Sequence, residues 1–213
     1  MRIMKTVFMS GLLCLTTACS AGIPESKPVD AAYLASQHIP SSGTLVAARM
    51  IRDQDGEHIL QLNRQAGPSP SAPKSGRIEH IELTAVYYAK QAGGWKQEWT
   101  VRDVADCPEL DAAADFFISS VAVTDINGDG KAEITIPYKL FCGGGIDSYT
   151  VKVILREGPL KLAIRGESEV RLPGQPPFGG DHKYDKALLT PAYAAYKNHL
   201  DQIWKTVSVD IRK

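Results

Sequence analysis

The chain has no charge surplus: 24 Lys and Arg stand against 24 Asp and Glu over 213 residues. The basic residues are scattered, so nothing provides the electrostatic footprint of a nucleic-acid or acidic-polymer binder. Histidine is scarce. His38, His58, His80, His182 and His199 fall at no zinc-ligand spacing, which argues against a zinc centre. The usual signatures of catalysis are missing as well, with no Gly-x-Ser-x-Gly elbow, no His-Glu-x-x-His pair and no phosphate-cradling Gly-x-x-x-x-Gly-Lys. Cysteine is limited to four residues, Cys14, Cys19, Cys107 and Cys142.

What is present begins at the N-terminus. Residues 1–18 open with Arg2 and Lys5, pass through Val7, Phe8, Met9, Leu12 and Leu13 without an acidic residue, and end in small residues. A basic start, a short apolar centre and a small-residue exit describe a secretory signal peptide, and the apolar part is too short to span a bilayer core of roughly 30 Å. The exit Leu15-Thr16-Thr17-Ala18-Cys19 resembles the lipobox of bacterial lipoproteins, in which the cysteine thiol is diacylated and becomes the new N-terminus. The match places Thr16 where that motif usually carries Leu. The alternative is ordinary cleavage near Ala21 with Cys19 discarded. Acyl chains anchor a protein because each buried methylene contributes about 0.8 kcal/mol, so the expectation is a membrane partner reached through a lipid anchor on Cys19. By resemblance to lipoprotein sorting, Ser20 implies an outer-membrane lipoprotein facing the periplasm or the cell surface.

Loss of Arg2 and Lys5 leaves 22 basic against 24 acidic residues, and roughly 195 residues remain, enough for one well-cored domain. Cys14 leaves with the signal and Cys19 takes the lipid. Cys107 and Cys142 then form the one possible disulfide in an oxidising compartment, the alternatives being two free buried thiols or a thiolate catalyst. Residues 19–43, rich in Ser, Pro and Ala, read as a lipid-anchored tether with at most a short ordered piece around Tyr33, and 44–213 as a single β-rich domain.

Most of that domain alternates with the strand period. Thr44–Ile51 and Glu57–Arg64 flank Asp53-Gln54-Asp55-Gly56, a hairpin signal because Asp-Gly supplies the positive φ of a tight turn. Residues 65–76 read as a loop. Ile78 to Tyr88 and Trp95 to Val104 flank Gly93-Gly94 as a second hairpin, and Phe116–Val123, Ile134–Phe141, Tyr149–Leu155 and Leu160–Ile164 read as further strands. Residues 173–186, rich in Pro and Gly, read as a loop. One helix is expected, capped by Thr190 with Pro191 in its first turn, and carrying Tyr193, Tyr196, Leu200, Ile203 and Val207 at spacings of three and four. Short connections and a single helix favour an antiparallel meander, since parallel pairs need long crossovers. The predicted fold is mainly β (α+β), an antiparallel meander sheet with a C-terminal amphipathic helix.

The strongest chemical signal is Asp125-Ile126-Asn127-Gly128-Asp129-Gly130-Lys131-Ala132-Glu133. Oxygen-bearing side chains stand at loop positions 1, 3, 5 and 9, glycine stands at 6, and Lys131 at 7 offers its carbonyl. Calcium needs six to eight oxygen ligands, and alternate residues of a tight loop can turn them inward. An EF-hand would require a carboxylate at position 12, which is Ile136, and the flanks read as strands. The loop resembles the Asp-x-Asn-x-Asp-Gly-x-x-Glu/Asp calcium loops between strands of integrin-type propeller repeats, of which this chain has one copy, so no propeller is implied. The alternative is a polar turn that binds nothing. A wider resemblance rests on Asp106-Cys107-Pro108-x-x-Asp111, Val123 to Gly130, Tyr138-Lys139-Leu140-Phe141-Cys142-x-Gly144, Val151 to Leu155 and Ala163-Ile164-Arg165-Gly166. These look like a family of small uncharacterised bacterial envelope proteins, some labelled surface polysaccharide biosynthesis protein. That family usually places a charged residue after the second cysteine, where Gly143-Gly144-Gly145 stands here. The resemblance implies no catalytic residues.

Two further groups carry weaker readings. Asp103, Asp106, Glu109 and Asp111 cluster beside Cys107 and can serve as the acid and nucleophile of a polysaccharide hydrolase, or be a solvated loop. Tyr87, Tyr88, Trp95 and Trp99 can make a sugar-stacking face, or be core and cross-strand pairs. Gly179-Gly180-Asp181-His182 can hold a ligand or be an exposed turn. The resulting expectation is a non-enzymatic envelope lipoprotein with a calcium-stabilised β domain that binds a partner protein or glycan. The alternative is an envelope polysaccharide hydrolase acting through the acidic cluster.

Overall fold

The computed structural model describes residues 23–212; the expected signal peptide and Cys19 lie outside the described residues. The first half folds as successive hairpins. β1 (Glu25–Val29) is followed by the short helix α1 (Ala31–Ser36), β2 (Thr44–Asp53), β3 (Gly56–Gly67), β4 (His80–Gln91) and β5 (Gly94–Asp106), in the spatial order β1-β2-β3-β4-β5. Gly56 and Gly94, with φ of +125° and +111°, close the two tight turns in a region that side-chain-bearing residues avoid.

The second half continues with β6 (Asp111–Phe116), a 3₁₀ turn (Ile118–Ser120), β7 (Ala122–Thr124), β8 (Glu133–Gly143), β9 (Thr150–Glu157), β10 (Leu160–Glu167), β11 (Glu169–Arg171), β12 (Phe178–Gly179) and β13 (His182–Tyr184). After two 3₁₀ turns come α2 (Ala194–Val207) and β14 (Val209–Ile211). The second sheet has the order β13-β10-β9-β8-β6, with β7 also pairing β8, and every pairing in both large sheets is antiparallel. A three-stranded sheet, β12-β11-β14, includes the parallel pair β11–β14. That pair is possible because α2 supplies the long crossover that parallel strands require.

The two large sheets pack face to face. Ile51, Leu60, Leu62, Ile81, Leu83 and Tyr87 of the first meet Phe116, Ile134, Ile136, Tyr138, Leu140 and Ile154 of the second in one buried cluster. Each sheet is apolar on its outer face too and is covered by a helix. Val151, Val153, Leu155, Leu162 and Ile164 pack under Tyr196, Leu200, Trp204 and Val207 of α2, and Ala48, Ile59, Val86 and Tyr88 pack with Leu34 and Ile39 from the α1 region. The result is four layers, α1 over a β-sandwich over α2. Burial on both faces explains why β3 is buried continuously from His58 to Asn63 instead of alternating.

Several expectations change here. Within the stretch expected as a tether, 19–43, the described part carries regular structure: β1 pairs with β2 along Glu25–Val29 and Asp30 caps α1 by accepting the Tyr33 amide at 2.8 Å. Leu34 and Ile39 are 2% and 5% exposed. They cover an outer sheet face that would otherwise meet water, and a helix of six residues is too short to show periodicity among Ser, Pro and Ala. The strand expected over Phe116–Val123 is interrupted by the 3₁₀ turn Ile118–Ser120, and the loop expected over 173–186 contains β12 and β13. The C-terminal helix carries Tyr196, Leu200 and Val207 on its buried stripe, joined by Trp204. Thr190 does not cap it; its hydroxyl donates to the Ala187 carbonyl at 2.7 Å.

Candidate functional site

The Asp125–Glu133 loop joins β7 to β8, which pair through Ala122–Thr135, Val123–Ile134 and Thr124–Glu133. Side-chain oxygens curl its backbone around itself. Asp125 Oδ2 accepts the Gly130 amide at 3.0 Å, Asn127 Oδ1 the Asp129 amide at 2.9 Å and Asp129 Oδ1 the Lys131 amide at 2.9 Å. Gly128 and Gly130, with φ of +76° and +79°, supply the left-handed residues that this curl requires. Glu133 is fully buried; its Oε2 accepts the Ile126 amide at 2.7 Å and its Oε1 the Asn127 amide at 3.4 Å. Burial pushes the Glu133 carboxyl above its ordinary range and the nearby Glu157 charge pushes the same way, while the two amides oppose them.

The donor set fits a hard cation. Asp125 Oδ1 is buried without a hydrogen-bond partner, and a buried orphaned carboxylate oxygen is costly unless a cation or donor meets it. Asn127 Oδ1 and Asp129 Oδ1 each spend one lone pair on an amide and keep another. Among the described residues no three His, Cys, Asp or Glu side chains form a metal-holding group by themselves; the loop's remaining donors are the Asn127 amide oxygen and the Lys131 carbonyl. The Lys131 ammonium leaves the loop to meet Asp55 at 2.8 Å.

Supports come from three distant segments that no local motif announces. The β2–β3 turn docks on the loop: Gln54 N donates to Gly130 O at 2.8 Å, and Asp53 Oδ2 accepts the Ala132 amide at 2.9 Å. Asp53 Oδ1 meets His58 Nε2 at 3.0 Å. Burial alone would raise the Asp53 carboxyl, yet the bonds from His58 and Ala132 outweigh it and hold the group below its ordinary range. His58 stacks on Tyr87, and Tyr87 on Trp99, at centroid distances of 5.1 and 4.8 Å. From β9, Glu157 Oε1 accepts Asn127 Nδ2 at 3.4 Å, and from α2 the Tyr196 hydroxyl donates to Glu157 Oε2 at 2.9 Å.

Cys107 and Cys142 form a disulfide with a Cα–Cα distance of 5.4 Å. It joins the end of the first sheet to β8 of the second. The Asp125–Glu133 loop and the disulfide therefore sit at opposite ends of β8, about 30 Å apart at about 3.4 Å per residue. The Cys107 amide donates to Glu79 O at 2.7 Å, and buried Glu79 accepts the Ser75 hydroxyl at 2.9 Å and the Glu109 amide at 3.0 Å, which pins the loop before β4 beside the bond.

The other candidate residues disperse. Asp103 points between the sheets, where it accepts the Tyr138 hydroxyl at 3.0 Å and pairs with Lys152. Asp106 pairs with His80 at 3.2 Å, Asp111 reaches Arg77 only at 4.0 Å, and Glu109 is exposed at a φ of +71°. Strand alternation sends Asp103 and Asp106 to opposite faces of β5, so the acidic cluster does not converge on one cleft. Tyr87 and Trp99 are cross-strand partners, 4% and 6% exposed, inside the sandwich. Tyr88 lies under α1, and Trp95 donates Nε1 to Gln37 at 3.2 Å, so the four aromatics make no surface platform. Gly179-Gly180 packs closely on Ser148, Ser168 and Glu169, and exposed His182 meets the Tyr184 hydroxyl at 3.1 Å.

Residues 117–145 match the FG-GAP repeat, the integrin-type unit. The match runs from Phe117 through β7, the acidic loop and β8 to Gly145, so this β-sandwich contains one FG-GAP repeat built as a strand–loop–strand hairpin. No curated protein and no solved structure matches the chain.

Proposed function

We propose that this is an exported lipoprotein, anchored to the outer membrane through Cys19, whose β domain is stabilised by calcium in the Asp125–Glu133 loop and binds a partner protein or glycan. The observation that carries the calcium reading is the curled loop with the buried, partnerless Asp125 Oδ1. Asp125, Asn127 and Asp129 supply side-chain oxygens, Lys131 its carbonyl, and Glu133 its carboxylate. An ion there neutralises a concentration of negative charge that no Lys or Arg in the loop offsets, since Lys131 is engaged with Asp55. Every one of these donors comes from a single hairpin, which favours a structural ion over a catalytic one. The Cys107–Cys142 bond supports export, because disulfides persist in oxidising compartments. The partner-binding reading rests on the FG-GAP hairpin and on the dispersal of the acidic residues. The envelope-protein resemblance agrees with that location.

The calcium reading is tested by melting the domain in 1 mM calcium and in EDTA, with Asp129→Ala as the control; calcium should raise Tm in the parent chain and not in the variant. Equal melting temperatures throughout would remove it. Partner binding is tested by affinity purification from the native envelope with calcium present. Recovery of one reproducible protein or glycan, lost in EDTA, is the expected result, and recovery of nothing above the control would count against it.

A further inference from the structure

We propose that Glu157 and Tyr196 form a positioning arm that couples cation binding in the Asp125–Glu133 loop to the docking of α2. The inference rests on the calcium reading above and adds residues outside the loop. An asparagine ligand binds a cation only through its oxygen, so something must decide which end of the Asn127 amide faces inward. Glu157 does so by charge: a carboxylate accepts and cannot donate, and its Oε1 holds Asn127 Nδ2 at 3.4 Å, leaving Asn127 Oδ1 on the loop side with the Asp129 amide. Glu157 is held in turn. Its Oε2 takes the Tyr196 hydroxyl at 2.9 Å, and Tyr196 is a buried residue near the start of α2, packed in the cluster beneath that helix. Among the described residues no Lys or Arg pairs with Glu157, so its charge is balanced by these two donors and by whatever cation enters the loop.

The chain of contacts runs from the loop to Asn127, to Glu157, to Tyr196 and so to α2. Groups that orient metal ligands typically change affinity by 10- to 100-fold when removed. Coupling between two sites is reciprocal, so if α2 docking favours the ion, the ion favours α2 docking by the same factor.

The test is a calcium titration of the full chain followed by amide NMR, with hydrogen exchange across α2 measured in calcium and in EDTA, for the parent chain, Tyr196→Phe and Glu157→Ala. Tyr196→Phe keeps the buried ring and deletes only the hydroxyl. The control is Tyr184→Phe, which deletes another hydroxyl bonded to α2, at Asp201 and 2.9 Å, outside the chain of contacts. The expected result is calcium affinity weakened about tenfold in Tyr196→Phe and Glu157→Ala, unchanged affinity in Tyr184→Phe, and slower exchange over Tyr196–Leu200 with calcium in the parent chain and not in Tyr196→Phe. A parent chain that binds no calcium at millimolar concentration removes the calcium reading and this inference with it. Calcium binding of unchanged affinity in Tyr196→Phe, with α2 still protected by the ion, overturns the arm and leaves the calcium reading standing.

Discussion

Removing the disulfide and removing the proposed calcium ion should destabilise the domain independently, because the two would clamp opposite ends of one strand. The perturbation is a chain carrying Cys107→Ala and Cys142→Ala, melted in calcium and in EDTA beside the parent chain. Alanine suits the buried Cys107 position, 1% exposed, because it introduces no unpaired polar atom. The bond closes a loop with a sequence separation of 35, for which the chain-entropy relation gives about 3.8 kcal/mol at 25 °C. For a domain of this size that corresponds to a Tm lower by roughly 8 to 15 °C. Calcium at about 1 mM, acting on a site of roughly 0.1 to 1 mM affinity, contributes about 0.4 to 1.4 kcal/mol, or roughly 1 to 5 °C. The two ends of β8 are about 30 Å apart and share no partner, so the losses should add to within about 0.5 kcal/mol. Urea unfolding of the four combinations measures the coupling directly. A coupling energy above about 1 kcal/mol would refute independent clamping, and a double-alanine chain that melts within 2 °C of the parent would refute the loop-closure argument.

The other predictions concern the supports of the fold and the site. Leu200→Ala empties a fully buried position between α2 and the second sheet, with an expected loss of about 2 to 5 kcal/mol in chemical denaturation. Asp53→Ala leaves both the Ala132 amide and His58 without their acceptor; it should cost about 1 to 3 kcal/mol, and an unchanged unfolding midpoint would show that the β2–β3 turn does not brace the loop. Glu57, hydrogen-bonded and paired with Lys90 and Arg52, has its carboxyl lowered to about 2. A depressed folded-state value means its stabilisation is present above the ordinary carboxylate range and is lost as pH falls toward 2, so Glu57→Gln should flatten the acid limb of the stability curve. His199, half-buried and bonded to the Thr135 hydroxyl at 2.9 Å, has its ring shifted below the ordinary value by partial burial. Its contribution is present above the unfolded value of about 6.5 and declines as pH falls below it, which an NMR titration of its ring protons would follow.

The amino-acid sequence by itself determined the parts of this protein that depend on neighbours along the chain. Asp-Gly and Gly-Gly place the first two hairpins because only those residues enter such turns cheaply. The spacing Tyr196, Leu200, Val207 declares a helix with one wet face, and Asp125 to Glu133 declares a loop of inward oxygens, since in each case the relevant partners lie within a few residues. Cys107 and Cys142 pair by count only with Cys14 and Cys19 assigned to the expected signal peptide and lipid anchor, two remaining thiols allowing one bond. The tertiary structure alone decided the rest. A period of two reports which residues share a face, but not whether that face meets water, a helix or another sheet, so the pairing of two sheets and the covering of both outer faces could not be read from the chain. Composition concealed β1 and α1, whose stability comes from the sheet they cover. Asp53, Glu157 and Tyr196 carry no local sign of their role; they reach the acidic loop from positions dozens of residues away, and only packing brings them there.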